Sequence, residues 1–197
     1  MEVQVSLRTA RNIGFAMVLA AIMGGSALTA SADPWGNQTG DTGAHPDEDP
    51  HGYCYSPTVS ADLKSGINEA MWDAMDPTQV NVNYDGDCKL SGGGETDVVW
   101  RQGNLAEGVS GKAPCEDYDN DRCDQYYLTL DLGQINKGSH DEIDQAQTAC
   151  HELGHSGGLT HGGSSTDCMI NSGSTPPTGI QFRRYGKHHT QHLNDWF

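Results

Sequence analysis

The chain has 197 residues, with 27 acidic against 11 basic side chains and a net charge of −16. Phosphate backbones would be repelled by such a chain and no basic patch offsets the field, so nucleic acid is excluded as a partner. Six cysteines without a Cys-x-x-Cys pair exclude a thiolate zinc ribbon, and the length suits one domain with a core of its own.

Residues 1–32 read as a signal peptide. Arg8 and Arg11 give a positive start, Ile13 to Met23 is an apolar run, and Ala30-Ser31-Ala32 is a small-x-small cleavage site before Asp33. The apolar run is short for a membrane span and no second one follows. The expectation is a secreted, extracellular product with no membrane partner, acting as a monomer. Residues 33–52 are rich in Gly, Pro, Asp and Thr and read as a flexible acidic arm. The globular domain is then 53–197.

Ser60 is an N-cap candidate. Leu63, Ile67, Ala70, Met71, Ala74 and Met75 follow at helical spacing until Pro77, which predicts an amphipathic helix. Val80, Val82 and Tyr84 alternate as a half-buried strand would. Asp97 to Arg101 is a second strand, and Leu105 to Ala113, broken by Gly108 and Gly111, a weaker edge strand. Tyr127 to Leu132 is the clearest strand. Ser139 and Glu142 have capping-box spacing, and Asp141 suits the positive end of a helix dipole, so a second helix begins there and stops at Gly157-Gly158. A loop from Gly162 to Gly179 precedes a short helix from about His189 to Trp196. The order of elements predicts an α+β domain with a mixed sheet. An even cysteine count behind a signal peptide predicts three disulfides, and six cysteines allow fifteen pairings.

The chemistry lies in Cys150-His151-Glu152-Leu153-Gly154-His155-Ser156-Gly157-Gly158-Leu159-Thr160-His161. His151 and His155 are four apart, about 40° around a helix axis, so both imidazoles reach one ion. Gly158 tolerates the positive φ of a sharp turn that returns His161 to the same ion. Three neutral imidazoles leave a position open for water, the mark of a catalytic rather than a structural zinc site. Glu152, in the neighbouring sector, can act on that water as a base.

The five fixed positions of His-Glu-x-x-His-x-x-Gly-x-x-His resemble the metzincin clan of zinc metalloendopeptidases, and the likeness extends to matrixin-like catalytic domains. It covers about 30 residues, Ser139 to Asn171. The resemblance implies a metzincin-like fold: a twisted mixed sheet, an active-site helix, a tight turn with a methionine beneath the metal, and a C-terminal helix. Met169, eight residues after His161, takes the Met-turn position. It also implies a protein or peptide substrate lying extended along an edge strand, for which Leu105 and Val109 are the candidates. A matrixin-type cysteine switch is absent, since Cys54 is the only cysteine before the first helix. No tyrosine closely follows Met169, so a tyrosine ligand of the astacin kind is not expected.

Given a Met-turn below the metal, Cys150 beside His151 and Cys168 beside Met169 come close, so Cys150–Cys168 is expected. Cys115 and Cys123 flank a short acidic stretch and are paired with each other, which leaves Cys54–Cys88 by elimination. The functional expectation is a secreted zinc-dependent endopeptidase with Glu152 as general base. The rivals are a zinc-binding protein of the same fold without peptidase activity and a zinc hydrolase acting on a non-peptide bond. Asp117, Asp119, Asp121 and Asp124 alternate like the first half of a calcium loop, but the central glycine and terminal glutamate are missing, and a solvated loop is the better reading. His188, His189 and His192 read as a solvated helix face.

Overall fold

The structure, a computed structural model, describes residues 45–47, 50–120, 122–161, 167–170 and 178–197. The signal peptide, most of the acidic arm, Asp121 and most of the loop after His161 lie outside the described residues.

The strands are β1 (His45–Pro46), β2 (His51–Tyr55), β3 (Val82–Gly86), β4 (Val98–Gln102), β5 (Gly111–Lys112), β6 (Cys115–Asp119) and β7 (Arg122–Leu130). They form one mixed sheet in the order β1-β7-β4-β2-β3, parallel throughout. The strands β5 and β6 add antiparallel to β7. Tyr126 pairs with Val98 of β4 and Cys115 of β6, and Leu130 with Gln102 of β4 and Gly111 of β5. The two antiparallel strands therefore occupy the edge of β7 opposite β4.

The helices are α1 (Ala61–Asn68), α2 (Leu132–Ile135), α3 (Asp141–Ser156) and α4 (Lys187–Trp196). The Ser60 side chain caps α1 by accepting from Leu63 N at 3.4 Å. The first helix continues to Met75 in π-helical form, with Asp76 N donating five residues back to Met71 O at 2.9 Å. That winding keeps Ala70, Met71, Ala74 and Met75 all buried. The core lies between α1, α3 and the sheet. Trp100, Tyr126, Leu128 and Leu130 meet Leu63, Ile67, Met71 and Leu153 there, all fully buried. Each aliphatic side chain so buried contributes about 1.5–3 kcal/mol before entropy is charged. At the C-terminus Glu69 accepts from both Arg183 (2.7 Å) and Arg184 (3.0 Å), fastening the last segment to the first helix.

Several expectations are corrected. The strand β2 starts at His51, within the supposed arm, and His45–Pro46 pairs with β7. These residues gain their order from partners distant in sequence, which composition does not reveal. The expected strand from Leu105 to Ala113 shrinks to Gly111–Lys112. Asp131 Oδ2 takes Leu105 N at 2.7 Å, and Val109 N bonds back to Ala106 O at 3.0 Å, so Leu105 and Val109 sit in a turn. The acidic stretch is a hairpin of β6 and β7 rather than a loop. The N-cap of α3 is His140, without a side-chain cap bond, so Ser139 lies outside and the capping box does not form. Asp141, Glu142 and Asp144 still place negative charge in the first turn. Bridges join Cys54 to Cys88, Cys115 to Cys123 and Cys150 to Cys168, the pairing set out above.

Candidate metal centre

His151 and His155 project from the last two turns of α3. Beyond Ser156 the chain reverses: Gly158 has φ +83°, its N–H bonds His155 O at 3.0 Å, and Leu159 N bonds Gly154 O at 2.9 Å. A Cβ is strained at that φ, so the motif's glycine is needed for the turn. The chain then returns to bring His161 against the other two rings. His151 Nε2 lies 3.0 Å from His161 Nε2 and 3.2 Å from His155 Nε2. The three ring centroids are 4.8–4.9 Å apart.

The opposite ring nitrogens decide what this convergence means. His151 Nδ1 is 2.8 Å from Cys168 O, and His155 Nδ1 is 2.8 Å from Leu159 O. A carbonyl oxygen only accepts, so both Nδ1 atoms carry the proton and both Nε2 atoms of the neutral rings are unprotonated. Two lone pairs facing each other at 3.2 Å cannot bond to one another; a shared cation resolves the arrangement. Zinc–nitrogen bonds of about 2.0–2.1 Å in tetrahedral geometry would set ligand nitrogens about 3.3 Å apart, near the spacings here. Carbonyl partners on Nδ1 are the usual second layer that orients histidine ligands. The residues fit a zinc ion. Burial holds the His155 imidazole down at about 4, against the Leu159 carbonyl, which favours its protonated form, and with the help of His161. It is neutral at physiological pH, as a ligand must be.

Below the histidines lies Met169, fully buried. A Cβ on Gly154 would stand 3.0 Å from Met169 Cε and 3.1 Å from Tyr185 Cε1, and closer still to Met169 Sδ. The absence of a side chain at Gly154 lets the methionine and the tyrosine press against α3 between His151 and His155. The Tyr185 hydroxyl donates to Cys150 O at 3.0 Å, so this ring is committed to the helix backbone and is not a ligand. The Cys150–Cys168 bridge joins α3 to the turn whose carbonyl orients His151. Asp167 closes the turn: Oδ1 accepts from Met169 N at 3.0 Å, and Oδ2 from Gly186 N at 2.7 Å and from His189 Nδ1 at 2.6 Å. His189 is therefore buried against the turn, a correction to its reading as solvated. Gly154, Asp167 and Tyr185 escaped the sequence reading. Only the motif's variable positions could have signalled Gly154.

Glu152 is 6% exposed and lies over Gly111 of β5. The site thus sits where α3 crosses the antiparallel edge of the sheet. Carboxylates also gather elsewhere. Asp124 can share an ion with Asp47 and Asp97, or with Glu95 and Asp117. Asp117 and Asp119 stand on β6 and Asp124 on β7, so the calcium-loop pattern is split across a hairpin. Exposed acidic groups cluster this way without an ion as well as with one.

No helix among the described residues is long and apolar enough to cross a membrane. No protein-family profile and no curated protein matches the chain. Among solved structures, it is similar to archaemetzincin from Methanopyrus kandleri, at 17% identity over 76% of this chain and 97% of that one, with a TM-score of 0.49. A likeness that distant carries no weight for the chemistry, which stands on the geometry of the three histidines.

Proposed function

We propose that the chain is a secreted zinc-dependent endopeptidase, with zinc held by His151, His155 and His161. The observation that carries this is the convergence of the ring Nε2 atoms, two of them on rings whose Nδ1–H groups are fixed by Cys168 O and Leu159 O. Zinc, when bound, acidifies a water molecule and polarises the carbonyl of the bond to be cut. Glu152 takes the water's proton on its carboxylate and delivers it to the leaving amine. Met169, braced by Gly154 and the Cys150–Cys168 bridge, supports the ligand pair from below. The substrate lies extended along β5, where Gly111–Lys112 replaces Leu105 and Val109 as the docking edge; one side of β5 is paired with β7 and a peptide can add to the other. The three disulfides suit the oxidising environment met on export.

Incubation of the protein, purified without its first 32 residues, with an unbiased peptide library tests this reading. Peptides should be cut internally, cleavage should stop with a zinc chelator, and zinc should restore it. Glu152→Ala should keep its zinc while turnover drops at least about a hundredfold, the scale of a lost general base. Intact peptides with a zinc-loaded protein would favour a binding protein, and near-normal turnover by Glu152→Ala would remove the assigned base.

A further inference from the structure

The strand β5 lies against Glu152 at a residue with no side chain. A Cβ on Gly111 would stand 2.5 Å from Glu152 Cγ and 2.6 Å from Cδ, and closer still to Oε1. Gly111 has none of the positive φ that marks five other glycines. Its backbone is that of an ordinary antiparallel strand, paired with Leu130. Conformational freedom therefore does not explain a glycine here, and the space taken by the Glu152 carboxylate does.

We infer that Gly111 is a positioning residue for Glu152: its missing side chain is the seat that fixes the carboxylate beside the metal centre. The inference rests on the function proposed above. An alanine side chain at 111 meets the Glu152 side chain from Cγ to Oε1, and no backbone atom is among its three nearest neighbours. The fold should accommodate the methyl group by swinging Glu152 aside while β5 stays paired. A carboxylate displaced by an ångström or so loses proton-transfer geometry long before metal binding suffers, because reach within about 2.6–3.2 Å is what a general base requires. Glycine 111 thus links the substrate-side edge of the sheet to the base: the strand that would hold the peptide also sets the position of the group that activates water.

The test uses Gly111→Ala and Glu152→Ala, singly and together, in zinc-loaded protein. Gly111→Ala should keep stoichiometric zinc and its thermal midpoint, and hold KM within about twofold, while kcat falls at least about tenfold. In the Glu152→Ala background neither Cγ nor the carboxylate is left to meet the added methyl, so Gly111→Ala should then change the residual kcat by less than about twofold. A crystal structure of Gly111→Ala should show the Glu152 carboxylate displaced and β5 in place. An undisplaced carboxylate, or the same kcat loss in both backgrounds, would overturn the inference. Because that structure is informative without any turnover, an inactive wild-type protein would count against the proposed peptidase and not against the seat.

Discussion

The histidine centre and the acidic hollow around Asp97 each gather three possible metal ligands within 4.8 Å of one another. In the first, two of the three ligands are held from behind by backbone carbonyls, so their lone pairs have one direction to point. In the second, the carboxylates are half-buried or exposed, and the visible partner of the Asp97 carboxylate is Gly52 N of β2. Proximity alone therefore does not distinguish a metal site from a crowd of like charges. A fixed second layer does, because it holds the ligands together against their repulsion before an ion arrives.

The most severe test of that contrast removes one ligand from each place. His155→Ala should take zinc from near one per chain to near none, with an affinity loss beyond about a hundredfold. Asp124→Asn, the residue common to both carboxylate groups, should leave zinc content unchanged. Elemental analysis after dialysis measures both. Full zinc in His155→Ala, or zinc lost from Asp124→Asn, would mean that the two regions have been assigned the wrong way round.

The same contrast explains what the sequence disclosed. The candidate ligand pair and the candidate base were legible because His151, His155 and Glu152 lie on one continuous helix, where spacing alone fixes relative direction. Gly158 was legible because a sharp turn needs its φ. The supports were not. Asp167 and His189 are 22 residues apart and meet only in the folded chain. Gly111 read as a strand breaker because the atom it makes room for belongs to another element. The alternating aspartates of β6 concealed a strand, since four of its five residues face solvent and only pairing with β7 defines it. Likewise His51 and Gly52 of β2 are buried, within the stretch whose composition suggested a mobile arm.

A smaller effect should follow from cutting the bridge behind the histidines. Cys150→Ser with Cys168→Ser opens a loop closed over a separation of 18 residues, and should lower unfolding free energy by about 2–4 kcal/mol. The corresponding double variant at Cys115 and Cys123 closes a separation of only eight and lies by the acidic side. It should cost less stability. Only the first pair should also weaken zinc binding, because Cys168 O orients His151. Urea unfolding and zinc titration separate these outcomes; equal effects of the two pairs on zinc would show that the carbonyl contact orients nothing.

The smallest expected effect belongs to the acidic hollow and depends on pH. Burial, with the charges of Asp47, Asp85 and Asp124 adding to it and the Gly52 hydrogen bond opposing, pushes the Asp97 carboxyl up from 3.8 to about 8. Between those values the folded chain keeps this proton while the unfolded chain releases it, so the unfolded state binds fewer protons and stability falls as pH rises. The contribution is fully present below 3.8 and is lost by about 8. Asp97→Asn keeps an oxygen for Gly52 N and has no charge to bury. Its stability relative to wild type should rise across that window by on the order of 1–2 kcal/mol, well below full conversion of the shift because the hollow is open to screening water. Urea unfolding at intervals from about pH 4 to pH 8 gives the difference directly. Parallel curves would mean that Asp97 is ionised in the folded protein throughout. A cation resident in the hollow would produce that result, since positive charge favours the carboxylate. Added calcium that stabilises wild type but not Asp97→Asn would then place a metal there after all and end the contrast between the two regions.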